Sequence, residues 1–284
     1  MLSFGYTIHV NHDGICGAYN FGDSFIQRLS EKQRYSLTDY YNTPYTVFGE
    51  HFHKVLLLGA RAANDVAAAL RHGAMRVDAV EIDPAILDVG RKDHPERPYA
   101  SSLVRTYTAD ARAFLREDSH SDYDLIVLGM LDSHTVLSSM SSIRLDNYVY
   151  AVESFQQALH RLQPHGVLAL SFYYVQPWQM ARVYDALWRA YGHMPVVVHT
   201  LGAGKDALVL FAGPGATRER LLNQPYIMAN NAADVVGDGS IEPTTDDWPF
   251  LEKSCVTERI FLHAHCRAQS QLHSISAQSS VVGN

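Results

Sequence analysis

Short apolar segments alternate with amphipathic ones over most of the chain after residue 53. Seven segments are rich in apolar residues, as expected for strands buried on both faces of a sheet. They are KVLLLGA, RVDAVEI, SLVRTYTA, YDLIVLGM, GVLALSFYY, MPVVVHTL and DALVLFAGP. Between the first six lie helical patterns: NDVAAALRHGA, PAILDVGRKDH, ARAFLRE, DNYVYAVESFQQALHRL and PWQMARVYDALWRAYG. This alternation predicts an α/β fold with a mainly parallel, doubly wound sheet.

The two ends of the pattern differ from its middle. Only GAGK separates the last two strands, which predicts an antiparallel hairpin at one edge of the sheet, and QPHG is expected to close the fourth helix. Residues 1–50 predict a small β element, with Asp-Gly turn chemistry, and a short linker helix. We expect the main domain to span residues 51–251. The Ser- and Gln-rich tail, residues 252–284, is expected to be partly disordered.

Composition excludes several classes of function. The 284 residues are 47% hydrophobic and carry a net charge of −7, which argues against a nucleic-acid-binding protein. No run reaches the roughly 18–20 apolar residues that a membrane span needs. The three cysteines form no CxxC pair, so a reducing cytoplasm is expected. The histidines of HFH and HAHC lack the spacing of a four-ligand zinc site, so we expect no metal.

Candidate chemistry begins at the first strand–turn–helix, where ligands of open α/β sheets bind. The turn starts Gly59-Ala60-Arg61 and has one glycine, where a nucleotide loop has several, so a plain connecting turn is the alternative. Glu81 ends the second strand, 22 positions after Gly59. A carboxylate there is suited to ribose hydroxyls, although it can also be an ordinary acid at a helix start. We assign that capping role to Asp83.

The third and fourth strands end in further polar residues. Asp110, followed by Ala111, can cap the helix ARAFLRE or accept a hydrogen bond from an adenine amino group. Asp132 and His134 follow the fourth strand and are candidates to bind an amine or accept its proton. The alternative is that both are loop residues in solvent. An acidic-aromatic turn, DDWPF, either closes over an acceptor site or packs as a structural clasp.

The order of these motifs resembles the spermidine synthase-like branch of the class I S-adenosylmethionine-dependent transferases. The resemblance covers about residues 35–260, and PTTDDWPFLE resembles a segment that precedes a membrane helix in some bacterial relatives. It implies a Rossmann-like class I methyltransferase fold and a cofactor, S-adenosylmethionine or its decarboxylated form. By position, the Gly59 loop would contact the methionine part, Glu81 the ribose and Asp110 the adenine, while Asp132 would bind an acceptor amine.

The resemblance also implies a small-molecule acceptor and a homodimer, with three tyrosines lining the acceptor side: Tyr35, Tyr40 and Tyr41. Two positions depart from the family. Arg61-Ala62-Ala63 replaces a glycine-rich loop with an internal acid, so Arg61 either pairs with the carboxylate of intact cofactor or fills the pocket. Gly129 replaces the catalytic acid of the fourth strand.

These departures favour transfer of a methyl or aminocarboxypropyl group to a small amine-type acceptor over aminopropyl transfer. One alternative is a polyamine aminopropyltransferase, a spermidine synthase that uses decarboxylated S-adenosylmethionine. The other is a degenerate, non-catalytic nucleoside-binding protein.

Overall fold

A single seven-stranded sheet organises the protein. The computed structural model describes residues 5–10, 13–49, 52–117, 122–129, 148–172, 177–202, 205–232, 241–249 and 251. The strands are β1 (Gly5–Val10), β2 (Asp13–Tyr19), β3 (Lys54–Leu58), β4 (Arg76–Glu81), β5 (Val104–Thr108), β6 (Tyr123–Leu128), β7 (Leu162–Phe172), β8 (Val196–Gly202) and β9 (Lys205–Ala212). The large sheet has the order β5-β4-β3-β6-β7-β9-β8, and β1 pairs with β2 in a separate antiparallel hairpin.

The pairing confirms the predicted sheet. β3 runs parallel to β4 and β6, as β4 does to β5 and β6 does to β7. Among the described strands of this sheet, β9 runs opposite to the others and is antiparallel to both of its neighbours, β7 and β8. The predicted hairpin therefore forms, with β8 at the edge of the sheet and β9 between β8 and β7. The chain moves outward from β3 to β5 and then crosses to β6. The strand order therefore reverses at the carboxyl ends of β3 and β6.

Helices cover both faces of the sheet. They are α1 (Asp23–Ile26), α2 (Glu31–Phe48), α3 (Asn64–Arg71), α4 (Pro84–Asp93), α5 (Ala111–Arg116), α6 (Val152–His160), α7 (Pro177–Tyr191), α8 (Arg218–Leu221) and α9 (Pro225–Asn230). None of the helices in this described part of the chain is both long and apolar enough to cross a bilayer.

Successive strand residues point to opposite faces, so the sheet builds two cores. The core under α5, α6 and α7 includes Leu56, Leu58, Ile126, Phe155 and Tyr184. The core under α2 and α3 includes Tyr45, Phe48, Leu57, Val66 and Val127. Full burial of each such side chain contributes about 2 kcal/mol before the cost of ordering it. Burial on both faces explains why the strands read as continuous apolar runs.

Helix α2 corrects the expectation of a short linker helix, since it spans 18 residues. A capping box between Ser30 and Gln33 starts it, and Gly49 ends it in the left-handed conformation. Its buried face is partly polar: the Asp39 carboxylate accepts hydrogen bonds from Thr200 Oγ1 at 2.7 Å and from Tyr226 Oη at 2.9 Å. A hydropathy pattern scores such residues as exposed, and only their partners on β8 and α9 explain the burial.

The QPHG segment is a second correction. It does not close a helix, because α6 ends at His160 and β7 already begins at Leu162. Leu162 pairs with Tyr123, and the register then shifts so that Val167 pairs with Leu125. The segment is therefore an irregularity within a strand, held by pairing with β6 that the local sequence does not reveal.

The described part of the DDWPF turn, residues 246–249, packs as a structural clasp against α5, α6 and α7. Arg112 and Arg116 of α5 donate to the Asp246 carboxylate at 2.6 and 3.1 Å, and the Asp246 amide donates to Glu153 of α6 at 2.9 Å. The Arg182 guanidinium lies 4.7 Å from the centre of the Trp248 ring. Of the two interpretations of this turn, these contacts favour the structural one.

Asn64, the first residue of α3, joins the N-terminal hairpin to the main sheet. Its Oδ1 accepts the Tyr19 amide at 2.9 Å, and its Nδ2 donates to the Gly17 carbonyl at 2.7 Å. A second link runs from the Phe21 amide to the Glu96 carboxylate at 2.9 Å. Because Asn64 is buried, these backbone groups depend on its amide for their hydrogen bonds.

We expect Asn64→Ala to lower the free energy of unfolding by about 2 kcal/mol, since it leaves buried backbone groups without partners. Urea unfolding measures the change, and hydrogen exchange at the Tyr19 amide should accelerate. The control is Asn223→Ala at an exposed position, which should change stability by less than about 0.5 kcal/mol. Equal stability of the two variants would contradict this role for Asn64.

Candidate functional site

The carboxyl ends of β3 and β6 approach each other closely at two glycines. Gly59 follows β3 and Gly129 follows β6, and the Gly129 amide donates to the Leu58 carbonyl at 3.1 Å. A Cβ at position 129 would lie 3.1 Å from the Gly59 carbonyl oxygen, so a side chain there would be crowded. This is the point where the strand order reverses, the usual ligand position in open α/β sheets.

The loop from β3 to α3 adopts a glycine-type backbone although it contains a single glycine. Gly59, Arg61 and Ala63 have φ angles of +74°, +51° and +81°. For arginine and alanine this left-handed conformation costs about 1–2 kcal/mol each. The amides of Gly59 and Ala60 both donate to the Val80 carbonyl at 2.9 Å, which ties the loop to β4.

Glu81, the predicted ribose ligand, is buried at the end of β4 with 5% of its surface exposed. Its two carboxylate oxygens accept the amide of Arg61 at 2.9 Å and the amide of Asp83 at 3.0 Å. Asp83 in turn caps α4 by accepting the Ala85 amide at 2.8 Å, which confirms its predicted role. Glu81 thus organises two loops, and its contact with a ribose stays a prediction.

Asp110 and Ala111 lie one strand further along the same edge. Asp110 caps α5 by accepting the Ala113 amide at 2.8 Å, and Ala111 is buried in the first turn. Glu81 pairs with Thr108 in the sheet, and neighbouring strands lie about 4.8 Å apart. The structure therefore brings Gly59, Glu81 and Asp110 into one row across β3, β4 and β5.

The residues predicted on the acceptor side do not lie together in the structure. Tyr40 and Tyr41 line a cleft beside α3. Tyr35 is 41% exposed, and its hydroxyl lies 3.4 Å from Asn230 Oδ1. It points away from Tyr40 because five residues along a helix rotate the side-chain direction by about 140°. Asp132 and His134 lie outside the described residues, so their roles stay predictions.

Asp65, which the sequence pattern did not single out, also lines this cleft. Burial raises the pKa of its carboxyl to about 6, and the nearby positive charge of Arg61 lowers that pKa in part. The pKa values of Tyr41 and Tyr45 are raised mainly by burial and, to a smaller extent, by the negative charge of Asp65. In the sequence, Asp65 looks like an ordinary acid in the first turn of a helix, so its neighbours are the only signal.

Within the described ranges, no three His, Cys, Asp or Glu side chains are placed to hold a metal ion. His53 Nδ1 lies 3.0 Å from Met75 Sδ. The HAHC motif lies beyond the described residues.

Comparison with known proteins places the fold. No protein-family model matches this sequence, and no curated protein matches it. A probable spermidine synthase from Corynebacterium glutamicum has a TM-score of 0.53 at 14% identity, over 79% of this chain and 81% of that one. The chain has the spermidine synthase-like class I fold.

Two further solved structures match this chain with lower TM-scores. Spermidine synthase from Thermotoga maritima matches with a TM-score of 0.49 at 12% identity, over 78% of this chain and 75% of that one. Human methyltransferase-like protein 13 in complex with SAH matches with a TM-score of 0.49 at 19% identity, over 67% of this chain and 83% of that one.

We expect Ala63→Gly to stabilise this class I domain by about 1 kcal/mol, because glycine adopts a positive φ without the penalty that alanine incurs. Urea unfolding measures the difference. The matched control is Ala67→Gly inside α3, where glycine should destabilise by about 1 kcal/mol. Opposite signs are expected for these two buried alanines, and equal destabilisation would show that residue 63 is not left-handed.

We expect Asp65→Asn to make stability less dependent on pH. The folded-state pKa of Asp65, about 6, lies above its ordinary value of 3.8, so folding favours the protonated acid. Ionisation therefore lowers stability as the pH rises from about 4 through 6. Asp65→Asn should unfold at a higher temperature than the native chain near neutral pH, and the difference should shrink towards pH ~4.

Thermal unfolding of both proteins across this pH range measures the effect. The control is Asp88→Asn, which removes an exposed carboxylate on α4. A difference for Asp65→Asn that stays constant with pH would count against a buried, reluctantly ionised carboxyl at position 65.

Proposed function

We propose that the protein is an S-adenosylmethionine-dependent transferase that moves a methyl or aminocarboxypropyl group to a small amine-type acceptor. One observation carries the proposal. The buried carboxylate of Glu81, at the end of β4, bonds to the left-handed loop after β3, and β3 borders the point where this class I sheet reverses its strand order. A nucleoside site needs this combination of a ribose acceptor and a close backbone approach.

The residues present fit the nucleoside part of the cofactor. A carboxylate has about four acceptor positions, and backbone amides use two of those on Glu81, so two are left for ribose hydroxyls. Ile82 follows it with 53% of its surface exposed, an apolar surface suited to a nucleobase. Asp110 caps α5 through Oδ1, and its second oxygen is our candidate acceptor for the adenine amino group. Ala111 would lie beside it.

Arg61 supports intact S-adenosylmethionine as the donor. Two hydrogen bonds fix its backbone. The Arg61 amide donates to the Glu81 carboxylate, and the Tyr99 hydroxyl donates to the Arg61 carbonyl at 3.0 Å. A guanidinium at this position attracts the carboxylate of the intact cofactor, which the decarboxylated form lacks. The same positive charge repels the ammonium group that both forms carry, so the carboxylate decides the preference.

The chemistry is divided between the cofactor and the chain. When bound, the sulfonium supplies an activated carbon, whose bond electrons stay on sulfur as the acceptor nitrogen bonds to that carbon. The protein's part is to orient the two reactants and keep the nitrogen unprotonated. Asp132, His134 and Tyr35 stay candidates on the acceptor side. The three cysteines support a cytoplasmic location.

Calorimetric titration with S-adenosylmethionine, its decarboxylated form and S-adenosylhomocysteine tests the proposal. We expect intact cofactor and its thioether product to bind about tenfold more tightly than the decarboxylated form, since only they carry the carboxylate that pairs with Arg61. Glu81→Gln should weaken all three by about tenfold or more. It loses a charged acceptor for the ribose but keeps one oxygen for a backbone amide.

The control is Glu219→Gln, an exposed carboxylate on α8 that should not change binding. No binding of any of the three ligands would overturn the proposal. Tighter binding of the decarboxylated form would favour a polyamine aminopropyltransferase. Binding without transfer to any small amine supplied would favour a non-catalytic nucleoside-binding protein.

A further inference from the structure

A narrow cleft opens beside the carboxyl ends of β3 and β6, and Asp65 carries the one carboxylate among its described lining residues. Helix α2 forms one wall, α3 another and the strand ends the floor. The cleft is narrow and is lined by Tyr40, Tyr41, Tyr45, Asp65, Leu57 and Ser171, among others. These walls suit a small cationic end group, because aromatic rings and a carboxylate both attract cations.

The carboxylate of Asp65 reaches the position where β6 lacks an acid. An ideal Cβ at Gly129 would lie 3.7 Å from Asp65 Oδ2 and 3.1 Å from the Gly59 carbonyl oxygen. A side chain on residue 129 would therefore be crowded by the backbone of β3. Helix α3 supplies a negative charge from the opposite side at almost the same place.

Tyr45 adds a second polar group to the cleft. Its side chain is 5% exposed, and its hydroxyl has no hydrogen-bond partner among the described residues. The ring stacks on His72, with 4.4 Å between ring centres and 2° between planes, which holds its orientation. By contrast, the Tyr41 hydroxyl accepts a hydrogen bond from Asn64 at 3.1 Å. A buried hydroxyl without a partner is costly, so a ligand atom that bonds to it binds more tightly.

We propose that Asp65 on α3, rather than a residue of β6, is the carboxylate that binds the acceptor nitrogen and takes its proton, with the Tyr45 hydroxyl as a second contact. This inference rests on the proposed transferase function and assigns the acceptor end of the same site. Both residues lie outside the set that the family resemblance implies.

The proton step is balanced within the site. A protonated primary amine meets the Asp65 carboxylate, one N–H bond breaks and its proton bonds to a carboxylate oxygen. The electron pair of that bond stays on nitrogen as the lone pair that makes it a nucleophile. Asp65 becomes a neutral carboxylic acid, and it returns the proton to solvent after the product leaves. Arg61 offsets the burial of Asp65 only in part, so protonation is accessible near neutral pH.

Binding of n-butylamine, with 1-butanol as its neutral analogue, tests the assignment. We expect the native chain to bind the amine and not the alcohol by calorimetry, both alone and with S-adenosylhomocysteine present. Asp65→Asn should weaken amine binding by at least about tenfold, because a charge-assisted bond becomes a neutral one. Tyr45→Phe should weaken it by about threefold to tenfold, and it removes only a hydroxyl that has no partner among the described residues.

Asp88→Asn on α4 is the matched control and should leave both ligands unaffected. Unchanged amine binding in Asp65→Asn, with S-adenosylhomocysteine binding retained, would overturn the assignment and leave the proposed function intact. Failure of the native chain to bind the amine would overturn it as well. Amine binding that depends on Asp65, in a chain that does not bind S-adenosylhomocysteine, would support the cleft and refute the transferase proposal.

Discussion

One buried carboxylate, that of Glu81, holds together the edge of the sheet on which the candidate site lies. It accepts an amide from the loop after β3, at Arg61, and another from the loop after β4, at Asp83. Charge-assisted bonds to backbone amides are strong, and here they fix the start of α3 relative to β4. The direction of α3 in turn aims Asn64 at the N-terminal hairpin and Asp65 at the cleft. A plain apolar residue at position 81 would leave two buried amides without acceptors.

The costs of this arrangement are concentrated within a few residues. Arg61 and Ala63 adopt a backbone conformation that disfavours their side chains, Asp65 is ionised reluctantly, and the Tyr45 hydroxyl lies buried without a partner among the described residues. Strained backbone and buried polar groups are common at functional sites, because selection for stability alone would remove them. The rest of the domain supplies the stability that tolerates them.

Much of the fold was predictable, and the exceptions share one cause. β3, β4, β6, β7, β8 and β9 contain apolar runs because both faces of the sheet are covered there, so local sequence identifies them, whereas the edge strand β5 is partly exposed. The length of helix α2 was underestimated because its buried face includes Asp39, whose partners lie 161 residues away on β8 and 187 residues away on α9. The irregular start of β7 was missed for the same reason, since its pairing with β6 is not encoded in the QPHG turn residues. Long-range partners thus decided each element that the local pattern misjudged.

Local sequence and long-range packing also contribute differently to the candidate site. Spacing along the chain was enough to place Gly59, Glu81 and Asp110 on one edge, because strands of a parallel sheet end on one edge and each βα turn brings its first residues there. No local pattern distinguishes Asp65 from any acid at a helix start, or Tyr45 from any core tyrosine. Packing of α2 against α3 buries Tyr45, and it leaves Asp65 Oδ2 3.7 Å from the position of a Cβ at Gly129. The sequence by itself determined the edge of the sheet on which the candidate residues lie. Tertiary packing alone decided that the Asp65 carboxylate lies next to Gly129 at that edge, because desolvation and distance depend on neighbours far apart in the chain.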